Sequence, residues 1–303
     1  MLTQDPYLAH RRFIAPAWAR PEISRIFLML FGFELALMLT PGIMINLTPT
    51  PIAQAFTRDL TAFGTILGFA SFGLTLGMFH VLGLLLADRG IGTMIGPWVS
   101  LKRDFWNAAI AVILVLIAVE AAPPFIELSE IVEVRNTFTW ALWLVPAFAA
   151  IVIQSFTEEV VYRGYLQQQL AVLSSRPIIW MGMPSFLFGL GHYFNGLGPS
   201  DGVLWAIWAG LLGLACADLT ARTGNIGAAV GLHAANNVFA AVIISSVDWP
   251  GSGLALYLYP AFDPAGYDYS LDLLLAPWAV IEVLISALNV LVMWLGARIA
   301  LRR

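Results

Sequence analysis

Long runs of apolar residues constrain the fold of this chain more than any other feature of its sequence. A helix needs roughly 20 mostly apolar residues to cross a bilayer, where its backbone polar groups must be satisfied internally. Of the 303 residues, 59% are hydrophobic and only 11% are charged. We therefore predict an all-α, polytopic membrane helical bundle of about eight transmembrane helices, with its functional site inside the bundle. The predicted spans are residues 26–47, 63–87, 105–122, 138–166, 177–197, 202–219, 225–247 and 271–297.

The basic residues fall mainly on one side of these spans. With the N-terminus in the cytoplasm, 13 of the 15 Lys and Arg residues lie inside, and only Arg58 and Arg135 lie outside. Because cytoplasmic loops are enriched in Lys and Arg, we expect both termini to be cytoplasmic. The single Lys against 14 Arg is typical of a GC-rich bacterial genome, so we expect a multi-pass protein of the bacterial inner membrane.

Four regions follow from this topology. Residues 1–25 are predicted to be a cytoplasmic, interfacial N-terminal arm, and residues 26–137 contain the first three transmembrane helices. Residues 138–247 contain the fourth to seventh helices, and residues 248–303 form an external loop and the C-terminal helix. The residues expected to anchor the arm at the membrane surface are Arg11, Arg12, Trp18 and Arg20.

Charged side chains within these apolar segments need an explanation, because each costs at least a few kcal/mol in the bilayer. Four occur singly, and we expect each to form a helix-end or interhelical hydrogen bond: Glu34, Glu120, Asp272 and Glu282. A denser set lies in three spans: Glu158, Glu159 and Arg163 in the fourth, His192 in the fifth, and His233 and Asn237 in the seventh. Three helices that each bury polar groups indicate a shared site.

Helical spacing separates the roles within this set. Glu159 and Arg163 lie four residues apart, so they are predicted to form an ion pair on one face of the helix. Glu158 points about 100° away from Glu159 and lacks that partner. His233 and Asn237 are also four residues apart and therefore project toward the same side.

Three short motifs in these spans resemble those of a known family. EEVVYRG, which contains Glu158, Glu159 and Arg163, is similar to the EExxxR motif of the CPBP intramembrane proteases. FGLGH, ending at His192, is similar to their FxxxH motif, and HAANN, from His233 to Asn237, to their HxxxN motif. This family includes the type II CAAX prenyl endopeptidases and the Abi proteins. The resemblance covers residues 140–245 and makes residues 138–247 the expected catalytic core.

The resemblance implies hydrolysis of a peptide bond within the membrane. Glu158 would then be the general base that activates a water molecule, and His192 would hold that water and protonate the leaving amine. His233 and Asn237 would donate hydrogen bonds to the oxyanion. Glu159 and Arg163 would be supporting residues.

A metal cofactor is the main open alternative for this chemistry. Glu158, His192 and His233 could bind zinc and leave a fourth position for water. The sequence contains no HExxH pair, however, and a glutamate–histidine site can activate water without metal. We therefore favour no cofactor, with zinc as the alternative.

Two other functions use the same polar cluster. A proton-coupled transporter would use buried Glu, His and Arg as a relay, although the sequence shows neither internal repeats nor paired broken helices. A non-catalytic membrane partner would bind an anchored peptide without cleaving it. For the protease, the expected partners are the lipid bilayer and a membrane-associated peptide or protein substrate, with no nucleic acid.

Overall fold

A computed structural model describes residues 5–58, 60–123, 128–261 and 263–302. The first four residues of the predicted arm and Arg303 therefore lie outside the described residues. The predicted all-α membrane bundle is confirmed. Its α-helices in this part of the chain are α1 Leu8–Phe13, α2 Ile23–Asn46, α3 Thr50–Phe56, α4 Ala62–Ala87, α5 Trp98–Glu120, α6 Thr137–Glu159, α7 Gln168–Leu173, α8 Met183–His192, α9 Pro199–Thr223, α10 Gly227–Val242 and α11 Pro277–Leu301.

Within the described residues, five helices are long and apolar enough to cross a membrane: α2, α4, the continuous helix Thr137–Leu173, α9 and α11. The other three predicted spans are also helical but differ in length or charge. The segment 105–122 belongs to α5, whose first two turns contain Lys102, Arg103 and Asp104. The helix Ile178–His192 and α10 contain only 15 and 16 residues. At 1.5 Å per residue each is about 23 Å long, less than the roughly 30 Å of the hydrocarbon core.

The helix Thr137–Leu173 changes its winding in the middle. Residues Val160–Gln167 form a π-helical segment between α6 and α7, and every side chain in it is buried. This segment contains Arg163 and directly follows the two glutamates at the end of α6. π-Helical turns inside α-helices are frequent at functional sites. The helical continuity was predicted from the sequence, whereas the π winding was not.

Small residues allow α10 to lie close to α5. A Cβ atom on Gly231 would lie 2.4 Å from the carbonyl oxygen of Phe105, so only glycine fits this contact. Ala228, Ala229 and Ala235 are buried in the same part of the core. Small residues at helix interfaces let backbones approach closely in membrane proteins. This packing fixes α10, and therefore His233, deep inside the bundle.

A small sheet occurs beside the C-terminal end of α10. Its strands are β1 Glu133–Val134, β2 Ile244–Ser246 and β3 Tyr257–Tyr259, in the order β1-β3-β2. β3 pairs antiparallel with β1, with Glu133 opposite Leu258, and parallel with β2, with Ile244 opposite Tyr257. β3 lies in the segment predicted to be an external loop. Strands of two or three residues are too short to give a periodic signal in the sequence.

The N-terminal arm packs against the helical bundle. The Tyr7 hydroxyl donates a hydrogen bond to Asp218 Oδ1 of α9 at 2.8 Å. His10 is buried, and its ring lies 4.4 Å from that of Trp180. Arg11 and Arg12 remain exposed. The arm therefore docks on the protein through Tyr7 and His10 and leaves its basic side chains outside.

Candidate active site

A deeply buried polar triad comes from α6, the π-helical segment and α10. Arg163 Nη1 donates to Glu159 Oε1 at 3.1 Å, which is the ion pair predicted from their spacing. His233 Nδ1 lies 2.9 Å from the same oxygen. All three side chains are at most 2% exposed. Because a carboxylate oxygen can only accept, Nδ1 of His233 must carry the proton of this hydrogen bond.

Glu158 lies on the other side of the His233 ring. Its Oε2 is 3.5 Å from His233 Nε2, and its side chain is 13% exposed. This oxygen is buried and has no hydrogen-bond donor among the described residues. His233 thus lies between two adjacent glutamates, with Glu159 fixing its orientation and Glu158 facing the nitrogen that remains free. The sequence predicted that Glu158 and His233 share a site, but it did not predict the contact between His233 and Glu159.

His192 is the last residue of α8 and is oriented by its own helix. Its Nδ1 lies 2.8 Å from the carbonyl oxygen of Phe188, so Nδ1 donates the proton. In the neutral ring, Nε2 is then an acceptor. The Phe188 ring packs against both imidazoles, with centroid distances of 4.4 Å to His192 and 5.6 Å to His233.

Asn237 is held by two other amides. Its Nδ2 donates to Gln154 Oε1 at 3.0 Å, and its Oδ1 accepts from Asn236 Nδ2 at 3.1 Å. An amide nitrogen carries two hydrogens, so one donor of Asn237 remains available. His233 and Asn237 do project from the same helix, as predicted, but His233 is engaged with the glutamates rather than paired with Asn237.

A cavity of about 1120 Å³ brings these residues together. Glu158, His192 and Asn237 all line it, whereas Glu159 and Arg163 lie behind it. The lining extends to residues 195–205 and 267–278, at the end of the bundle opposite the turn between Leu173 and Ile178. The candidate site is therefore a deep hollow with the carboxylate of Glu158 in its wall.

Comparison with known proteins matches the same part of the chain. Residues 139–239 match the family described as Rce1-like, type II CAAX prenyl endopeptidase Rce1-like. We refer to residues 139–239 as the Rce1-like segment because they are similar to that family. The chain is also similar to the uncharacterized protein YyaK of Bacillus subtilis (strain 168), with 28% identity over 228 residues that cover 71% of each chain. No solved structure matches the chain significantly. The resemblance inferred from the three motifs is thereby confirmed, and the match supports, in general, a CAAX-type intramembrane protease.

The alternative of a zinc site depends on whether the possible metal ligands of the Rce1-like segment lie close enough together. Among the residues that the structure describes, no three His, Cys, Asp or Glu side chains are placed to hold a metal ion. The set Glu158, His192 and His233 therefore does not fit a zinc ion. His233 Nδ1 is engaged by Glu159, and the apolar Phe188 ring packs against both imidazoles.

The Rce1-like segment also contains site residues that the sequence reasoning missed. Gln154 orients Asn237, and Tyr162 lines the cavity. Both lie four residues from Glu158, so Gln154, Glu158 and Tyr162 form one stripe along the helix. This spacing was a usable signal, because a polar residue one turn from a catalytic candidate shares its face.

Two of the four single carboxylates also belong to this cavity. Glu34 of α2 and Glu282 of α11 line its wall, and neither forms the predicted hydrogen bond with any described residue. Glu120 is the last residue of α5, and Asp272 lies in the short 3-10 helix Leu271–Leu275; both are exposed. The prediction of a helix-end position holds for Glu120 and Asp272, whereas Glu34 and Glu282 face the site.

Proposed function

We propose that the chain is an intramembrane endopeptidase that hydrolyses a peptide bond of a membrane-associated or lipidated peptide or protein. One observation carries the proposal. Glu158 lines a cavity shared with His192 and Asn237, and its buried Oε2, which has no hydrogen-bond donor among the described residues, lies 3.5 Å from His233 Nε2. The family match of residues 139–239 supports the same class of reaction.

Glu158 is the proposed general base. A water molecule in the cavity would give a proton to this carboxylate while its oxygen attacks the carbonyl carbon of the scissile bond. His192 Nε2 is an acceptor and lines the same cavity, so it would hold the water in place. The low-dielectric surroundings strengthen these interactions relative to bulk water.

Asn237 is the proposed donor to the oxyanion. The second hydrogen of its Nδ2 can reach into the cavity, and the hydrogen bonds to Gln154 and Asn236 prevent the amide from rotating. A donor that is fixed before the reaction needs no reorganisation when charge develops on the carbonyl oxygen.

His233 is assigned a role different from the one its motif implied. With Nδ1 donating to Glu159, its Nε2 can take the proton from Glu158 and return it. The proton then passes to the nitrogen of the leaving amine as the carbon–nitrogen bond breaks, which restores the carboxylate of Glu158. Glu159 and Arg163 are positioning residues, because they act through His233 and line no part of the cavity.

Replacement of Glu158 distinguishes the proposed protease from a transporter and from a non-catalytic partner. Membranes from cells that carry wild type or Glu158→Gln are compared by quantitative proteomics. We expect one or a few precursors to accumulate in the variant, uncleaved at a defined peptide bond. Glu120→Gln is the matched control, because Glu120 lies at an exposed helix end outside the cavity.

The purified protein then provides a direct test. Wild type and Glu120→Gln should cleave the precursor in proteoliposomes, and Glu158→Gln should bind it with its peptide bond intact. Equal expression and equal thermal unfolding midpoints exclude a folding defect in the variant. Identical membrane proteomes, or cleavage by Glu158→Gln at the wild-type rate, would remove the basis of the proposal.

A further inference from the structure

Glu34 and Glu282 are two intramembrane carboxylates that the proposed mechanism does not use. They lie in α2 and α11, two helices that are long and apolar enough to span the bilayer. Both line the cavity, and neither makes a hydrogen bond or ion pair with a described residue. A carboxylate in a transmembrane helix is costly, and its partner is normally another protein group. Both side chains are exposed, so a ligand in the cavity can reach them.

The charge of the whole cavity wall has one sign. Glu158, Asp201 and Asp268 line it together with Glu34 and Glu282. No Lys or Arg lines it among the described residues, and the nearby Arg163 is already paired with Glu159 outside the cavity. A cleft lined by charges of one sign between low-dielectric walls attracts ligands of the opposite charge.

Aromatic rings form much of the remaining wall. Trp205, Trp208 and Trp278 line the cavity, as does Tyr269. The faces of Trp and Tyr attract ammonium and guanidinium groups, with the strongest effect where water is excluded. Carboxylates beside such rings suit a side chain that has an apolar stem and a cationic end, which describes Lys and Arg.

The size of the cavity indicates a peptide rather than a small cation. Its volume of about 1120 Å³ exceeds the roughly 300–1,000 Å³ of pockets that bind drug-sized molecules. Its lining runs from the proposed catalytic carboxylate to residues 195–201 and 267–273 at one end of the bundle. A segment of several residues can therefore occupy it and place a basic side chain near α2 and α11 while its backbone approaches Glu158.

We propose that this cavity selects membrane-anchored peptide segments that carry a Lys or Arg side chain, and that Glu34 and Glu282 determine this specificity. The proposal rests on the proposed function, because it names the substrate class of the same site. It assigns the two glutamates to recognition and leaves the chemistry to Glu158.

Binding to a variant that does not cleave tests the proposal apart from catalysis. Glu158→Gln is reconstituted in nanodiscs of phosphatidylglycerol and titrated with three N-palmitoylated nonapeptides that differ only in a central Lys, Gln or Glu. We expect the Lys peptide to bind at least about tenfold more tightly than the Gln peptide, and the Glu peptide to bind most weakly. With Glu34→Gln and Glu282→Gln added, the difference between Lys and Gln should fall to less than about threefold.

A charge-reversal variant provides a second test if the variant with Glu34→Gln and Glu282→Gln does not fold. Glu282→Lys in the same background should favour the Glu peptide over the Lys peptide, whereas Glu120→Gln should keep the original order. Equal binding of the three peptides to the parent would overturn the inference. Loss of the Lys preference in nanodiscs that contain phosphatidylethanolamine would also overturn it, because a lipid ammonium group would then be the occupant. Neither result bears on whether wild type cleaves its precursor, so failure of the specificity is distinguishable from failure of the protease.

Discussion

His233 Nδ1 lies 2.9 Å from Glu159 Oε1, and this oxygen also accepts a hydrogen bond from Arg163 at 3.1 Å. The two glutamates of the first motif therefore do different things. Glu159 is fully buried and holds the imidazole, and Glu158 faces the cavity on the other side of the ring. The buried ion pair is linked to the proposed base through a single histidine.

Removal of both charges of the buried ion pair should restore stability without restoring activity. Arg163→Met leaves the Glu159 carboxylate without its cation, and removal of one partner of a buried pair costs about 3–5 kcal/mol. The double variant Glu159→Gln/Arg163→Met removes both charges and should recover most of the thermal unfolding midpoint in detergent. Its cleavage of the precursor should remain at least about tenfold below wild type, because His233 no longer has a carboxylate to orient it. A double variant with full activity would show that Glu159 is structural only.

The close packing of α8 on α9 should be required both for stability and for cleavage. A Cβ atom on Gly189 would lie 2.4 Å from the backbone oxygen of Ala206, so Gly189→Ala must move α8, which ends at His192. Overpacking of this kind costs about 1–3 kcal/mol, and we expect a lower unfolding midpoint together with reduced cleavage. Gly77→Ala is the control, because a Cβ at Gly77 meets no atom within 4 Å and alanine favours a helix. Equal effects of the two substitutions would contradict the packing argument.

Much of the site could be predicted from the sequence because its key contacts lie within one helix. The spacing of Glu159 and Arg163 gave their ion pair, and the rotation of about 100° between neighbours separated Glu158 from it. The contact between Glu159 and His233 could not be predicted in this way. It depends on how α10 is placed beside α6, and the position of α10 is fixed in part by its close packing on α5 at Gly231.

The lengths of the helices were less predictable than their existence. The apolar run 177–197 continues past the end of α8 because Tyr193 and Phe194 follow His192 outside the α-helix. Apolar composition reports on burial or contact with lipid and does not mark where a helix ends. The glycines at 196 and 198 were the available stop signal. In the same way, Ile244 belongs to β2 and not to α10.

A strong chelator should not inhibit purified protein. No three metal-binding side chains come together among the described residues, and the proposed water activation needs only Glu158 and the histidines. After dialysis against chelator and confirmation of the metal content by mass spectrometry, cleavage of the precursor should proceed at the wild-type rate. Loss of activity that is restored by added zinc would show that the site rearranges around a metal.

The predicted orientation can be tested with single cysteines. Cys216 is buried, and Cys216→Ser provides a background without thiols. Ser175 and Ala265 are exposed at opposite ends of the bundle, in the turn after α7 and in the loop before α11. If the termini are cytoplasmic, a membrane-impermeant maleimide should label Ala265→Cys in intact spheroplasts and Ser175→Cys only in inverted vesicles. The reverse pattern would place the cavity mouth, with residues 267–278, on the cytoplasmic side.

Docking of the N-terminal arm should weaken at acidic pH because of His10. Burial lowers the pKa of His10 from 6.5 to about 4, and its described neighbours, Phe13, Trp180 and Gln167, are uncharged. The released arm binds the proton more readily than the docked arm. Docking is therefore at full strength above pH 6.5, weakens as the pH falls from 6.5 to about 4, and changes no further below that, with a total loss of up to about 3 kcal/mol.

Hydrogen exchange of the backbone amides of residues 8–20 measures this effect directly. After correction for the intrinsic exchange rate, protection of the arm should be lower at pH 4.5 than at pH 7.5. His10→Phe keeps an aromatic ring against Trp180 but cannot be protonated, so its protection should be the same at both pH values. Wild-type protection that does not change with pH would mean that the imidazole is solvated in the docked arm. The Tyr7–Asp218 hydrogen bond would then be the contact that holds the arm.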